Sequence, residues 1–129
     1  MATPYSRGRS FEYRTMTRLR DVGFYCMRSP QSKGIVDVIA VHMGTVLFVQ
    51  CKMAPWHGIK EWNEFFDLSK KHGAIPVYVT RNEKGKMQFF EVIDKKERYV
   101  RKEVTKPLVL SSFNALGTLD LFECPGDEL

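Results

Sequence analysis

The run Ile35-Val36-Asp37-Val38-Ile39-Ala40-Val41-His42-Met43-Gly44-Thr45-Val46-Leu47-Phe48-Val49-Gln50-Cys51-Lys52 holds two apolar segments joined by Met43-Gly44. A Gly-containing break of two residues between β-rich runs predicts a tight hairpin, with strands over 35–42 and 45–53. Strands this apolar on both faces are central ones, covered above and below. Side chains alternate along a strand, so Val46, Phe48, Gln50 and Lys52 share one face, and Leu47, Val49, Cys51 and Met53 share the other. Gln50 and Lys52 therefore point the same way, at the end of an oily strand that faces a second oily strand interrupted by Asp37.

The flanks extend this core in both directions. Phe11, Thr15, Met16, Leu19 and Val22 recur at helical spacing, which predicts a helix from Ser10 to about Asp21, stopped by Gly23. Residues 1–8 read as a loose basic arm, 24–28 as a short strand and 29–34 as a loop. Beyond the hairpin, Ile59, Trp62, Phe65, Phe66 and Ser69 mark an amphipathic helix opened by Pro55-Trp56 and ended by Gly73, which should lie on the sheet. Strands are expected over 74–80 and 86–93, turned by Asn82-Glu83-Lys84-Gly85. Past residue 94 the pattern weakens to one short helix capped by Ser111 or Ser112 and running through 114–122. The expected fold is α/β, a single domain with a mixed sheet flanked by helices: arm 1–8, core 9–93 and a C-terminal extension 94–129 suited to self-association.

The 129 residues carry a formal charge of +5, and its placement is uneven. Residues 1–60 hold nine Lys or Arg against three acids, a net +6, while 61–129 hold eleven bases against twelve acids, a net −1. Six of the first nine are arginine, whose planar fork suits phosphate oxygens. A polyanionic partner such as nucleic acid is the expectation. No apolar run is long enough for a membrane span or signal peptide, so a cytoplasmic location and no membrane partner are expected. Three cysteines, at 26, 51 and 124, form no CxxC pair, which excludes a zinc ribbon and a disulfide scaffold. His42, His57 and His72 have no zinc-ligand spacing, and the aromatic stripe of Trp56, Trp62, Phe65 and Phe66 is most simply core.

The polar residues inside the oily strands need an account, because a buried charge costs several kcal/mol unless it is paired or bound to a metal. One account is an ion pair between Asp37 and Lys52 at the strand ends. The other is a hard-cation site. Magnesium takes oxygen ligands and keeps several waters, so Asp37, the Gln50 amide oxygen and the Cys51 main-chain carbonyl suffice, with Glu12 as a further carboxylate if its helix packs over the sheet. Lys52 would then assist a water in attacking a phosphodiester.

Asp37, followed after a hairpin's length by Gln50-Cys51-Lys52, resembles the metal-and-lysine signature of the PD-(D/E)XK nucleases. Gly8 and Glu12 at Gly-x-x-x-Glu spacing, Leu19-Arg20 before Gly23-Phe24, and Arg28-x-Pro30-x-Ser32 make residues 7–93 similar to the archaeal-type Holliday junction resolvases. The resemblance implies a restriction-endonuclease-like fold and a homodimer that cuts four-way DNA junctions in a symmetric pair, leaving 5′-phosphates. It implies magnesium as cofactor, with manganese as substitute, and no small-molecule cofactor. Glu12, Asp37 and Gln50 would bind the metal, Lys52 would assist the attacking water, and Ser32 would lie near the scissile strand. Arg7, Arg9, Arg14, Arg28, Ser32, Lys33, His57 and Lys60 are the expected DNA contacts. Gln50 departs from the usual acidic residue and removes one negative charge. A general or Mrr-like nuclease of duplex DNA, and a silent binding module that kept the fold, are the alternatives.

Overall fold

A computed structural model describes residues 4–29, 34–56 and 58–113. The elements are α1 (Pro4–Asp21), β1 (Tyr25–Arg28), β2 (Val38–His42), β3 (Thr45–Cys51), α2 (Ile59–Lys71), β4 (Ile75–Arg81), β5 (Met87–Val92) and β6 (Thr105–Pro107), then a 3-10 turn at Leu110–Ser112. The six strands form one sheet in the order β1-β2-β3-β4-β5-β6, antiparallel throughout except for the parallel pair β3 and β4. That one parallel pair requires a crossover, and α2 is the crossover.

The hairpin forms where the sequence places it. Val38 pairs with Val49 and His42 with Thr45, and both turn residues have positive φ, 46° at Met43 and 91° at Gly44. Positive φ at both central positions matches the right-handed twist of the strands. Alternation along β3 sends Leu47 and Val49 into a core with Phe11, Met16 and Leu19 of α1, and Phe48 into a second core with Trp56, Trp62 and Phe65. The sheet is therefore covered on both faces, α1 on one side and α2 on the other.

Three expectations are corrected. The first helix begins at Pro4, so residues 4–8, expected to be a loose arm, are helical, and Ser10 is an interior residue. Proline at a first helical position loses no hydrogen bond and has its φ preset, so it starts a helix without a polar cap. The first hairpin strand begins at Val38 because the Asp37 carboxylate, rather than a main-chain carbonyl, accepts the Cys51 amide. A sixth strand, β6, also joins the edge of β5, Glu91 opposite Lys106. The expected helix through 114–122 lies outside the described residues.

Candidate active site

The end of β3 and the turn leading into β2 bring the polar residues together. The Asp37 amide donates to the Val49 carbonyl at 2.8 Å, and the Cys51 amide donates to Asp37 Oδ2 at 2.8 Å, so the carboxylate is fixed beside Gln50-Cys51-Lys52 from both ends. Burial pushes the Asp37 carboxyl up to about 6. The Cys51 hydrogen bond and Lys52 work against burial, while Glu12 and Glu61 repel the charge and reinforce it. Glu12 on α1 and Lys52 after β3 are thus both within electrostatic reach of Asp37.

Gln50 is 5% exposed, and its Oε1 is buried without a hydrogen-bond partner among the described residues. A buried amide oxygen left unsatisfied costs roughly 1–3 kcal/mol. Its neighbours in sequence are the Val49 carbonyl that holds Asp37 and the Cys51 amide that does the same, so Gln50 stands in the chain between the two groups that fix the carboxylate. An oxygen in need of a cation beside a carboxylate in need of one is the donor chemistry a hard divalent ion requires. Among the described residues no three His, Cys, Asp or Glu side chains come together as a metal cluster.

Lys52 is held from two sides. Its Nζ lies 3.3 Å from Glu61 Oε1 and 5.3 Å from the centre of the Trp56 ring. The ion pair between Asp37 and Lys52 that the sequence left open is therefore not formed: Lys52 pairs with Glu61 instead. Glu61 escaped the sequence reading because an acid in the first turn of a helix already has a sufficient explanation in the helix dipole. Glu12 meets Arg28, whose Nε donates to Glu12 Oε1 at 2.7 Å while its guanidinium sits over the Tyr13 ring. Its carboxylate thus links α1 to β1. The Cys51 thiol is raised by burial and donates to Thr15 Oγ1 at 3.6 Å, so it is turned toward α1.

The other expected contacts are dispersed. Arg9 and Arg14 are exposed on α1 and Lys60 is exposed on α2; Ser32, Lys33 and His57 lie outside the described residues, as does the side chain of Arg7.

The profile of the family described as "Archaeal holliday junction resolvase (hjc)" matches residues 3–116. The chain belongs to that family. Membership makes it a junction-resolving nuclease, and the sheet and two helices have the restriction-endonuclease-like fold. The 1.6 Å structure of Archaeoglobus fulgidus Hjc, a Holliday junction resolvase from an archaeal hyperthermophile, is similar in fold. It superposes with a TM-score of 0.57 at 22% identity, covering 64% of this chain and 74% of that one. No curated protein matches the chain. No helix among the described residues is long and apolar enough to cross a membrane.

Proposed function

We propose that this resolvase cuts four-way DNA junctions in a magnesium-dependent reaction, as a homodimer making two symmetric incisions that leave 5′-phosphates. The observation that carries the metal is the partnerless Gln50 Oε1 beside an Asp37 carboxylate whose charge is disfavoured by burial. Asp37, the Gln50 amide and the Cys51 carbonyl would hold magnesium, with Glu12 as the further carboxylate and manganese as a working substitute. When bound, a divalent ion supplies Lewis-acid stabilisation of charge on phosphorus and makes water a better nucleophile.

The protein's own groups set the rest. Lys52 carries its positive charge to the reacting phosphate and stabilises the charge that develops there. Glu61 and Trp56 aim its ammonium, so little reorganisation is needed when the substrate arrives. Arg28, kept in place by Glu12 and Tyr13, is the arginine positioned for the DNA backbone near the site. Arg7, Arg9, Arg14, Lys33, His57 and Lys60 extend the phosphate contacts, and Ser32 approaches the scissile strand. The edge strand β1 exposes Tyr25 and Met27, apolar surface that supports pairing with a second copy, since two symmetric cuts call for two sites related by a two-fold axis. The reaction belongs in the cytoplasm, or that of the host if a phage encodes the chain.

The test is cutting of a labelled synthetic four-way junction in magnesium, beside a linear duplex and a single strand of the same sequence. Paired nicks confined to the junction, and abolished by chelation, are expected. Equal cutting of linear duplex would return the protein to the general nucleases, and junction binding without cutting in magnesium or manganese would leave a silent binding module. If about six basic residues meet phosphates, log K falls with log[salt] at a slope of roughly −5.

Gln50→Glu should separate ligand charge from folding. A carboxylate added at this buried position lowers the half-saturating magnesium concentration about tenfold, because affinity in oxygen sites follows ligand charge. The same charge has no partner in metal-free protein and costs about 1–3 kcal/mol of stability there. Urea unfolding with and without magnesium reads both effects; unchanged metal affinity would remove Gln50 from the ligand set.

A further inference from the structure

The near-neutral second half conceals a basic, tightly anchored loop. Ile93 donates to the Val104 carbonyl at 2.8 Å and closes its base. Asn63 of α2 bonds both main-chain groups of Lys96, accepting from its amide at 2.8 Å and donating to its carbonyl at 3.0 Å. Lys96 Nζ donates to the Trp56 carbonyl at 2.6 Å and lies 4.2 Å from the centre of the Trp62 ring. Trp56 is the residue whose ring also receives Lys52, so the loop is fastened to the wall of the active site.

The loop's charges divide into those that build it and those that do not. Lys95 pairs with Asp67, and Lys102 with both Asp94 and Glu97. Arg98 and Arg101 are exposed and make no ion pair among the described residues. Between them stands Tyr99, 96% exposed. The turn is closed by the Val100 amide on the Glu97 carbonyl, and its third position, Tyr99, has φ 64°. Glycine is the ordinary residue there, since a positive φ brings Cβ against the following carbonyl. A bulky residue in that conformation, with no packing to offset the strain, points to a role outside the fold.

We propose that the tip Arg98-Tyr99-Val100-Arg101 is a branch-point contact: Tyr99 stacks on a base whose own stacking is interrupted at the junction, and the two arginines hold the flanking phosphates. The chemistry selects this partner. An aromatic ring between two free guanidinium groups offers a stacking platform and charge neutralisation together, which is how unstacked nucleic acid is held. A continuous duplex keeps its base faces covered and offers the ring nothing, so the contact favours branched DNA. The inference rests on the junction reading and adds a determinant of branch selectivity to it.

The test measures binding of full-length protein to a synthetic four-way junction and to a linear duplex of matched length, across salt, with cutting followed in magnesium. Tyr99→Ala should weaken junction binding about tenfold and leave duplex binding within twofold, while Tyr99→Phe keeps wild-type affinity. Tyr99→Gly should lose the same affinity with a melting temperature at or above that of wild type, which separates stacking from folding. Arg98→Ala with Arg101→Ala should make the salt slope shallower by about 2 on the junction. If wild-type protein cuts junctions and the variants bind them with its affinity and slope, the tip proposal is overturned and the junction reading stands. A Tyr99→Ala change confined to self-association, seen by sedimentation, assigns the tip to a protein contact and overturns it too. Wild-type protein that neither binds nor cuts the junction overturns both.

Discussion

Asp37→Asn is expected to abolish junction cutting, by about a thousandfold or more, and at the same time to make the metal-free protein more stable at neutral pH. The two effects have one cause. In the folded chain burial holds the Asp37 carboxyl up at about 6, against an ordinary value of 3.8, so the native state grips that proton more tightly than the unfolded state does. The contribution of Asp37 to the stability of metal-free protein is therefore most favourable below pH 4, falls as the pH rises from about 4 to about 6, and is level above that. At 1.36 kcal/mol per pH unit, the penalty at pH 7.5 is about 2–3 kcal/mol. Asparagine removes the charge and keeps an oxygen able to accept the Cys51 amide, so the variant gains that amount at pH 7.5 and nothing at pH 4. Magnesium should stabilise the wild type by mass action and leave the variant unmoved. Urea titrations at the two pH values, with and without magnesium, check all four quantities. A stability difference between variant and wild type that stays the same from pH 4 to pH 7.5 without metal would mean that Asp37 is solvated well enough to need no cation.

How far the sequence reached depends on which physical signals were local. The hairpin was legible because period-2 alternation and Met43-Gly44 are complete within eighteen residues. So was the shared direction of Gln50 and Lys52, which follows from parity alone: Phe48 joins the core under α2, and Lys52 reaches Glu61 and Trp56 on that helix's side. The first helix's apolar stripe of Phe11, Met16 and Leu19 was legible, and its start was not, because Pro4 and Gly8 look like loop residues until the stripe behind them pins the helix. Thr105–Pro107 has no alternation to read and becomes a strand only by borrowing the free edge of β5. The split of charge at residue 60 carried the same limit. It located the basic first half and averaged the loop at 94–104 with distant acids, so the arginines beside Tyr99 disappeared into a net of −1. Charge becomes informative there only after Asp67, Asp94 and Glu97 are seen to neutralise Lys95 and Lys102.

Lys52→Ala is expected to separate metal binding from catalysis. Cutting at saturating magnesium should fall by about a hundred- to ten-thousandfold, the range for removing a positioned acid–base or charge-stabilising group. Metal affinity should move the other way. Lys52 acts on Asp37 as a favourable positive charge, so it also repels any cation placed there, and its removal leaves Asp37 and Glu61 without that compensating charge. The variant should thus need less magnesium for half-maximal binding while turning over far less, with junction affinity close to wild type because one point charge among several phosphate contacts is lost. Glu61→Gln tests the aim of the lysine rather than its presence. The pair is part-exposed, so stability should change by no more than about 1 kcal/mol, but a Lys52 without its 3.3 Å partner should cut about tenfold more slowly. In the Lys52→Ala background Glu61→Gln should cost nothing further, since its effect is transmitted through a side chain that is no longer there. Single-turnover cutting across a magnesium series for the four proteins of this cycle decides the matter. Additive losses would make Glu61 act on the metal or the DNA independently of Lys52, and a Lys52→Ala variant that cuts at the wild-type rate would move the catalytic charge elsewhere on the chain.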